Sequence, residues 1–260
     1  MLLFPMKKVL LASLLFAALF AGCTPVKIAL NDSQWPEKKE YAVTNKKPLF
    51  KQQQLAFGDF QTREVKRSWT KGTQGLSGVF IGDSGVGFNH ITKKQKFHFK
   101  LQGDQNQTSE VNCATNIRIK DLVIGNPNSG LNTMLDFLSI GIDTDNQFYA
   151  QILAAPETQP WQLILDNRAI QISRNYAGSL MQSPENYYTI VPVNKVQGKN
   201  GPVAFPIGSV GYEIRNKQNE PVAAVSLIDR GTVYLKEVPP AEKFLLANAC
   251  AALLLQARDL

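Results

Sequence analysis

Histidine and cysteine are scarce in this sequence, and their scarcity limits the chemistry that the chain can perform. The 260 residues include two histidines, His90 and His98, and three widely separated cysteines, Cys23, Cys113 and Cys250. Zinc and related metals are held by clusters of such side chains. The sequence therefore predicts no metal site, and no cofactor is expected.

Charged residues are also few, at 19% of the chain, while hydrophobic residues make up 44%. This composition lies outside the range of disordered proteins and allows a sizeable core. The formal net charge is +7 at pH 7, and Lys7 and Lys8 near the N-terminus contribute two of these charges. The excess is mild for a nucleic-acid binder, so no nucleic-acid partner is expected.

The glycine-rich stretch VFIGDSGVGFNHI at residues 79–91 looks like a phosphate-binding loop but lacks two of its residues. Such loops need a lysine and then a serine or threonine directly after the last glycine, to hold phosphate and Mg²⁺. Phe88 and Asn89 occupy these positions. The sequence therefore predicts a turn between strands and no nucleotide partner.

The same stretch contains GDSG, as around the nucleophile of chymotrypsin-like proteases, which makes Ser84 a candidate nucleophile. A serine nucleophile needs a general base such as histidine. His90 and His98 both follow Ser84, which reverses the chain order of that family. A hydrolase that uses Ser84 is therefore only the third functional hypothesis, after two non-catalytic ones.

The N-terminal segment has the organisation of an export signal. Lys7 and Lys8 precede an apolar run from Val9 to Phe20, which is short for a membrane span and is followed by no stop-transfer pattern. We expect residues 1–22 to be a cleaved signal peptide.

The end of this segment, LFAGC at residues 19–23, resembles the lipobox of bacterial lipoproteins, with Phe20 where an aliphatic residue is usual. The resemblance implies that Cys23 is the lipid attachment site, acylated before cleavage. Each buried acyl methylene contributes about 0.8 kcal/mol, so several chains make a lasting anchor. By the same analogy, Thr24 after the cysteine implies an outer-membrane protein that faces the periplasm.

The mature chain is expected to have two parts. Residues 23–46 are rich in lysine and proline and predict a lipidated tether. Residues 47–260 predict a single β-rich periplasmic domain.

From residue 47 onward, apolar and polar residues alternate and turn residues recur at short intervals, a pattern typical of β-strands. In KFHFKLQG, for example, Phe97, Phe99 and Leu101 fall on one face. Residues 211–236 are expected to form a three-stranded meander. The predicted fold is mainly β, with about twelve antiparallel strands forming a barrel or a sandwich.

The chain ends in a segment that predicts a buried apolar helix over residues 240–257. Only Asn248 is polar between Phe244 and Leu255, and a helix that is apolar all round must be buried on nearly every side. A β-rich chain ending in such a helix resembles the tubby C-terminal and scramblase-like fold, a barrel threaded by its last helix. That fold includes phosphoinositide binders, but no residue of this chain can be matched to a headgroup site.

Cys113 and Cys250 remain once Cys23 is assigned to lipid, and exported proteins favour disulfides. Cys113 falls on the apolar face of a predicted strand, and Cys250 falls on an apolar stripe of the predicted helix. We expect these two residues to form a disulfide, with a pair of buried free thiols as the alternative.

The leading functional hypothesis is a lipid-anchored cell-envelope protein with a non-catalytic binding or structural role. Its expected partners are the membrane, through the N-terminal acyl chains, and another envelope protein. The alternative is a periplasmic carrier or binder of a lipid or other apolar ligand. The last helix discriminates between them, because a helix that fills the interior leaves no room for a carrier's ligand.

Overall fold

The computed structural model describes residues 26–46, 53–70, 77–81, 84–88, 94–117, 122–124, 147–166, 177–205 and 208–257. The predicted signal peptide at residues 1–22 and the predicted lipid attachment site Cys23 lie outside the described residues. Within the described part of the chain, no helix has the length and hydropathy needed to cross a membrane.

The described residues contain eighteen β-strands and one α-helix. In chain order they are β1 (Lys39–Ala42), β2 (Thr44–Lys46), β3 (Gln54–Phe57), β4 (Phe60–Thr70), β5 (Ser77–Ile81), β6 (Ser84–Phe88), β7 (Lys94–Gln102), β8 (Thr108–Ile117), β9 (Leu122–Ile124), β10 (Gln147–Ala154), β11 (Trp161–Asp166), β12 (Gly178–Ser183), β13 (Asn186–Val193), β14 (Lys195–Gly198), β15 (Gly201–Ala204), β16 (Gly211–Arg215), β17 (Pro221–Ser226), β18 (Thr232–Leu235) and α1 (Pro240–Ala257).

Thirteen of these strands form one antiparallel sheet in the order β1, β18, β17, β16, β13, β12, β11, β10, β8, β7, β4, β3 and β2. The two ends of this order are consecutive in the chain, because only Val43 separates β1 from β2. β1 pairs with β18, and β2 pairs with β3. The sheet therefore curls into a nearly closed barrel, which confirms a mainly β fold and decides for the barrel over the sandwich.

Alternation along the strands separates the inside of the barrel from the outside. On β7, Phe97, Phe99 and Leu101 are buried, as the sequence predicts, whereas His98 between them is half-buried. The ring of Phe97 stacks on that of Phe148 from β10, with 6.1 Å between the ring centres. The predicted meander at 211–236 is also confirmed, as β16, β17 and β18.

Helix α1 runs through the inside of the barrel, over the residues predicted from the sequence. Its thirteen residues from Phe244 to Gln256 are all buried. Strands from different parts of the barrel contact it, including β8 and β10 as well as β17 and β18. Four alanines lie in the buried run, and their small side chains allow the surrounding wall to approach the helix closely. The helix is apolar all round because the wall surrounds it.

Residues 26–46, which lie within the predicted tether, are instead part of the folded structure. Ile28, Trp35 and Val43 are buried, and β1 and β2 complete the barrel sheet. The tether prediction gave weight to lysine and to prolines such as Pro36, which is exposed. It overlooked the large apolar side chains spaced between them, and those side chains find partners on the barrel wall.

Candidate functional site

A buried hydrogen bond inside the barrel helps to fix the rotation of α1. The Ser109 hydroxyl on β8 donates to Oδ1 of Asn248, with 2.5 Å between the oxygens. The Asn248 amide donates in turn to the Phe244 carbonyl one turn earlier, at 2.8 Å. Both side chains are buried, and buried polar groups are stable only when they are paired. The face of α1 that carries Asn248 therefore lies against β8.

Cys113 and Cys250 are both buried free thiols, so the predicted disulfide is absent from the structure. Since Asn248 faces β8, Cys250 two residues later is turned about 200° around the helix, away from that strand. Cys113 lies four residues beyond Ser109 along β8, a displacement of about 13 Å. The two thiols therefore face different parts of the core. Burial raises both of their pKa values, that of Cys250 to about 12.

Both ends of α1 are held by side chains of the barrel wall. At the first turn, the Tyr188 hydroxyl donates to the Glu242 carboxylate at 3.0 Å. Burial, then the charge of Glu242, raises the pKa of Tyr188. At the last turn, the Arg67 guanidinium donates to the Leu255 carbonyl at 3.2 Å and lies 4.9 Å from the centre of the Phe97 ring. A positive charge at the C-terminal end of a helix interacts favourably with the helix dipole.

Residues 26–38 form an N-terminal strap over the outside of the barrel. Trp35 in the strap is buried in a cluster that includes Tyr234, and its indole Nε1 donates to Glu213 on β16 at 3.0 Å. The Glu213 side chain is 5% exposed, and its other oxygen accepts from the Arg215 guanidinium at 2.5 Å. A buried carboxylate needs partners of this kind. The strap is therefore fastened by apolar packing and by a charge-assisted hydrogen bond.

The strap also extends a hairpin that stands outside the barrel. β14 and β15 pair with each other, and Ile28 forms an antiparallel bridge with Val196 on β14. Two backbone hydrogen bonds of 2.9 and 2.8 Å flank this bridge. Ile28 and Val196 pack into the same cluster as Trp35. We call residues 26–29 together with β14 and β15 the outer sheet.

A surface groove of about 460 Å³ lies beside β8 and β10. Its lining includes the charged residues Lys100, Glu110 and Glu157, together with Leu153 and Pro156. Pockets for apolar ligands are lined mainly by hydrophobic and aromatic side chains. Charges of both signs in the lining do not suit a wholly apolar ligand, so the groove does not favour the carrier hypothesis.

Of the three residues of the hydrolase hypothesis, Ser84, His90 and His98, the structure describes the side chain of His98 alone. Ser84 begins β6 in the separate sheet of β5, β6 and β9, where side chains are not described, and His90 lies outside the described residues. His98 lies on β7 in register with Lys66 and Asn112. Burial, then the charge of Lys66, lowers the pKa of His98. The described residues also contain no group of three metal-ligating side chains.

No family model, no curated protein and no solved structure matches this chain. The resemblances to bacterial lipoproteins and to the tubby C-terminal and scramblase-like fold therefore stay predictions.

Proposed function

We propose that this chain is a lipid-anchored cell-envelope protein whose barrel has a non-catalytic binding or structural role. Acyl groups on Cys23 would hold it at the outer membrane, facing the periplasm, beside another envelope protein as its partner. The observation that carries the proposal is the packed strap, which begins at Val26 and is fastened to the barrel by Trp35.

The strap begins three residues after Cys23, and three residues span at most about 10 Å. An anchor at Cys23 would therefore hold the barrel close to the lipid surface. A long flexible tether would let a domain search the periplasm, whereas a short connection restricts it to the membrane. This geometry suits a protein that acts beside the membrane to which it is attached.

The filled interior favours a binding or structural role over the carrier hypothesis. Helix α1 places thirteen consecutive buried residues inside the barrel, in the space that a carrier of this shape would use for its ligand. An external surface is then the remaining place for a partner to bind.

The anchor can be tested by mass spectrometry of the mature N-terminus purified from bacterial membranes. We expect the native chain to begin at Cys23 with fatty acids attached. We expect Cys23→Ala to lack them and to lose stable membrane association of a processed form. Cys113→Ala is the matched control and should keep its acyl groups, because Cys113 lies in the core. A native N-terminus without fatty acid would overturn the proposal.

The partner can be sought by crosslinking in intact cells followed by mass spectrometry. The native chain should yield a reproducible envelope protein, and Cys23→Ala should lose it because the barrel is no longer held at the membrane. If the native chain gave no reproducible crosslink, the binding role would be rejected and only a structural role would stand.

A further inference from the structure

All three large hydrophobic residues that are exposed in the described part of the chain belong to the outer sheet or directly follow it. They are Val26, Val203 and Phe205, with 52%, 55% and 46% of their surfaces exposed. Single exposed apolar residues are common on protein surfaces, but a group confined to one element marks an interaction site.

The strand register places these three residues on one face of the outer sheet. Val196 pairs with both Ile28 and Val203, and paired residues of antiparallel strands point to the same side. Val26 lies two residues before Ile28, and Phe205 lies two residues after Val203, so strand alternation returns both to that side. The Phe205 N–H continues the ladder by donating to the Asn194 carbonyl at 2.7 Å.

This face is covered at its centre and open at its rim. Ile28 is buried and Val196 partly buried against the barrel wall, whereas Val26, Val203 and Phe205 extend beyond the covered part. We call these three residues the apolar ledge. The ledge is therefore a continuation of a packed apolar face into solvent.

The position of the ledge in the chain indicates what covers it. Val26 follows Cys23 by three residues, or about 10 Å at most. Residues 194–205 contain no acidic residue. Lys199, in the turn between β14 and β15, is exposed at the end of the outer sheet, whereas strand alternation turns Lys195 to the face opposite Val196. An apolar face that is bordered by a lysine and lies in a segment without acidic residues suits the headgroup region of an anionic bilayer.

We propose that the apolar ledge rests on the lipid bilayer, with Val26, Val203 and Phe205 at the boundary between headgroups and acyl chains. This inference rests on the proposed anchor at Cys23. The anchor and the ledge together give two separate attachments, which fix the orientation of the barrel on the membrane. β14 follows Val193, which pairs with Gly211 at the start of β16, so the turn between β16 and β17 lies at the opposite end of these strands from the ledge.

The test uses the full chain, purified with its acyl groups verified by mass and reconstituted into vesicles of phosphatidylethanolamine and phosphatidylglycerol. A nitrobenzoxadiazole dye is attached at Val203→Cys, or at Gln218→Cys in the turn between β16 and β17 as the matched control. A nitroxide-labelled phospholipid then quenches dye that touches lipid. We expect quenching at position 203 to exceed that at position 218 by at least about threefold.

A second reporter leaves the ledge itself unlabelled. The dye is attached at Lys199→Cys, in the turn between β14 and β15, in chains with the native ledge or with Val203→Asp and Phe205→Asp combined. We expect lipid quenching at position 199 with the native ledge and its loss with the two aspartates, while the mass of the acylated N-terminus stays unchanged.

The possible results distinguish a failure of the ledge proposal from a failure of the proposed anchor at Cys23. If the dye on acylated protein is quenched equally at positions 203 and 218, the proposal that the ledge contacts lipid is overturned and the anchor at Cys23 still stands. Dye at position 203 that is shielded from an aqueous quencher but not reached by the lipid-borne one would show that a second copy or a protein partner covers the ledge, which also overturns the inference. Chains without fatty acid would overturn the anchor, and the ledge with it.

Discussion

The hydroxyl of Ser109 on the barrel wall is hydrogen-bonded to Asn248 on the enclosed helix, 2.5 Å away. Asn248 is the one polar residue between Phe244 and Leu255, and it meets the one wall position that offers it a hydroxyl at this distance among the described contacts. Together with the contact of Tyr188 with Glu242 at the first turn, this hydrogen bond determines which face of α1 lies against β8.

Removing either partner of this hydrogen bond alone should destabilise the protein. Removing both should cost less stability than the two single losses added together. Ser109→Ala leaves the buried Oδ1 of Asn248 without its hydroxyl donor, and Asn248→Ala leaves the Ser109 hydroxyl only the Leu101 carbonyl, at 3.5 Å. We expect each change to lower the free energy of unfolding by about 1–3 kcal/mol. Urea unfolding followed by circular dichroism measures the two single variants and the double variant, with the exposed Gln218→Ala as control. Strict additivity would show that the hydrogen bond contributes nothing.

The strap should detach when its indole is removed. Trp35→Ala deletes a side chain that is 1% exposed and also withdraws a hydrogen bond from the buried Glu213 carboxylate. Loss of a large buried aromatic costs about 3–5 kcal/mol, enough to free a surface segment locally. We expect trypsin to cleave at Lys27 and Lys38 many times faster than in the native chain. The neighbouring exposed Pro36→Ala should leave the cleavage rate unchanged, and equal rates for the two variants would contradict the role of Trp35.

Sequence periodicity predicted those parts of the fold that depend on local pattern. The helix at 240–257 and the buried face of β7 are confirmed. Such elements can be predicted because their buried side chains recur along the sequence with the short period of a strand or a helix. Contacts between distant residues carry no such local signal. Trp35 meets Glu213 across 178 residues, so the strap resembled a tether in sequence.

The candidate site was predictable only at its first residue. The resemblance of residues 19–23 to a lipobox predicts Cys23 as a lipid attachment site without reference to the fold, whereas the apolar ledge depends on the pairing of residues 26–29 with β14. Val203 and Phe205 occur in a short segment that contains lysine, glycine and proline, and nothing in that composition indicates their exposure. The disulfide prediction failed to match the structure for a related reason, since the rotation of α1 is set by Ser109 rather than by the helix's own pattern.

The last turn of α1 should depend on the geometry of Arg67 and not only on its charge. Its guanidinium contacts the Leu255 carbonyl and also the Gln53 side chain, at 3.2 and 3.1 Å. Lysine has no planar fork with which to reach both acceptors. We therefore expect Arg67→Lys to lower the free energy of unfolding by about 1–2 kcal/mol. Arg63→Lys, on the same strand but exposed, should have little effect, and a similar loss for both variants would contradict this assignment.

The free thiols should make the protein less stable in alkali. Burial raises the pKa of Cys250 from 9.0 to about 12 and raises that of Cys113 as well. Above pH 9 the unfolded chain therefore loses thiol protons that the folded chain keeps, so the free energy of unfolding falls as pH rises. The slope for each thiol approaches about 1.4 kcal/mol per pH unit.

Up to about pH 9, one unit below the ordinary pKa of tyrosine, these thiols should contribute more to the slope than the buried tyrosines, whose pKa values burial also raises. Cys250→Ala lowers stability at every pH through the cavity it leaves, but its distinguishing effect is a shallower decline with pH than in the native chain. Urea unfolding at a series of pH values measures that decline. An unchanged slope, or a peptide map in which Cys113 is joined to Cys250, would contradict two free thiols in the core, because the ionisation of Cys250 would then contribute nothing to the pH dependence.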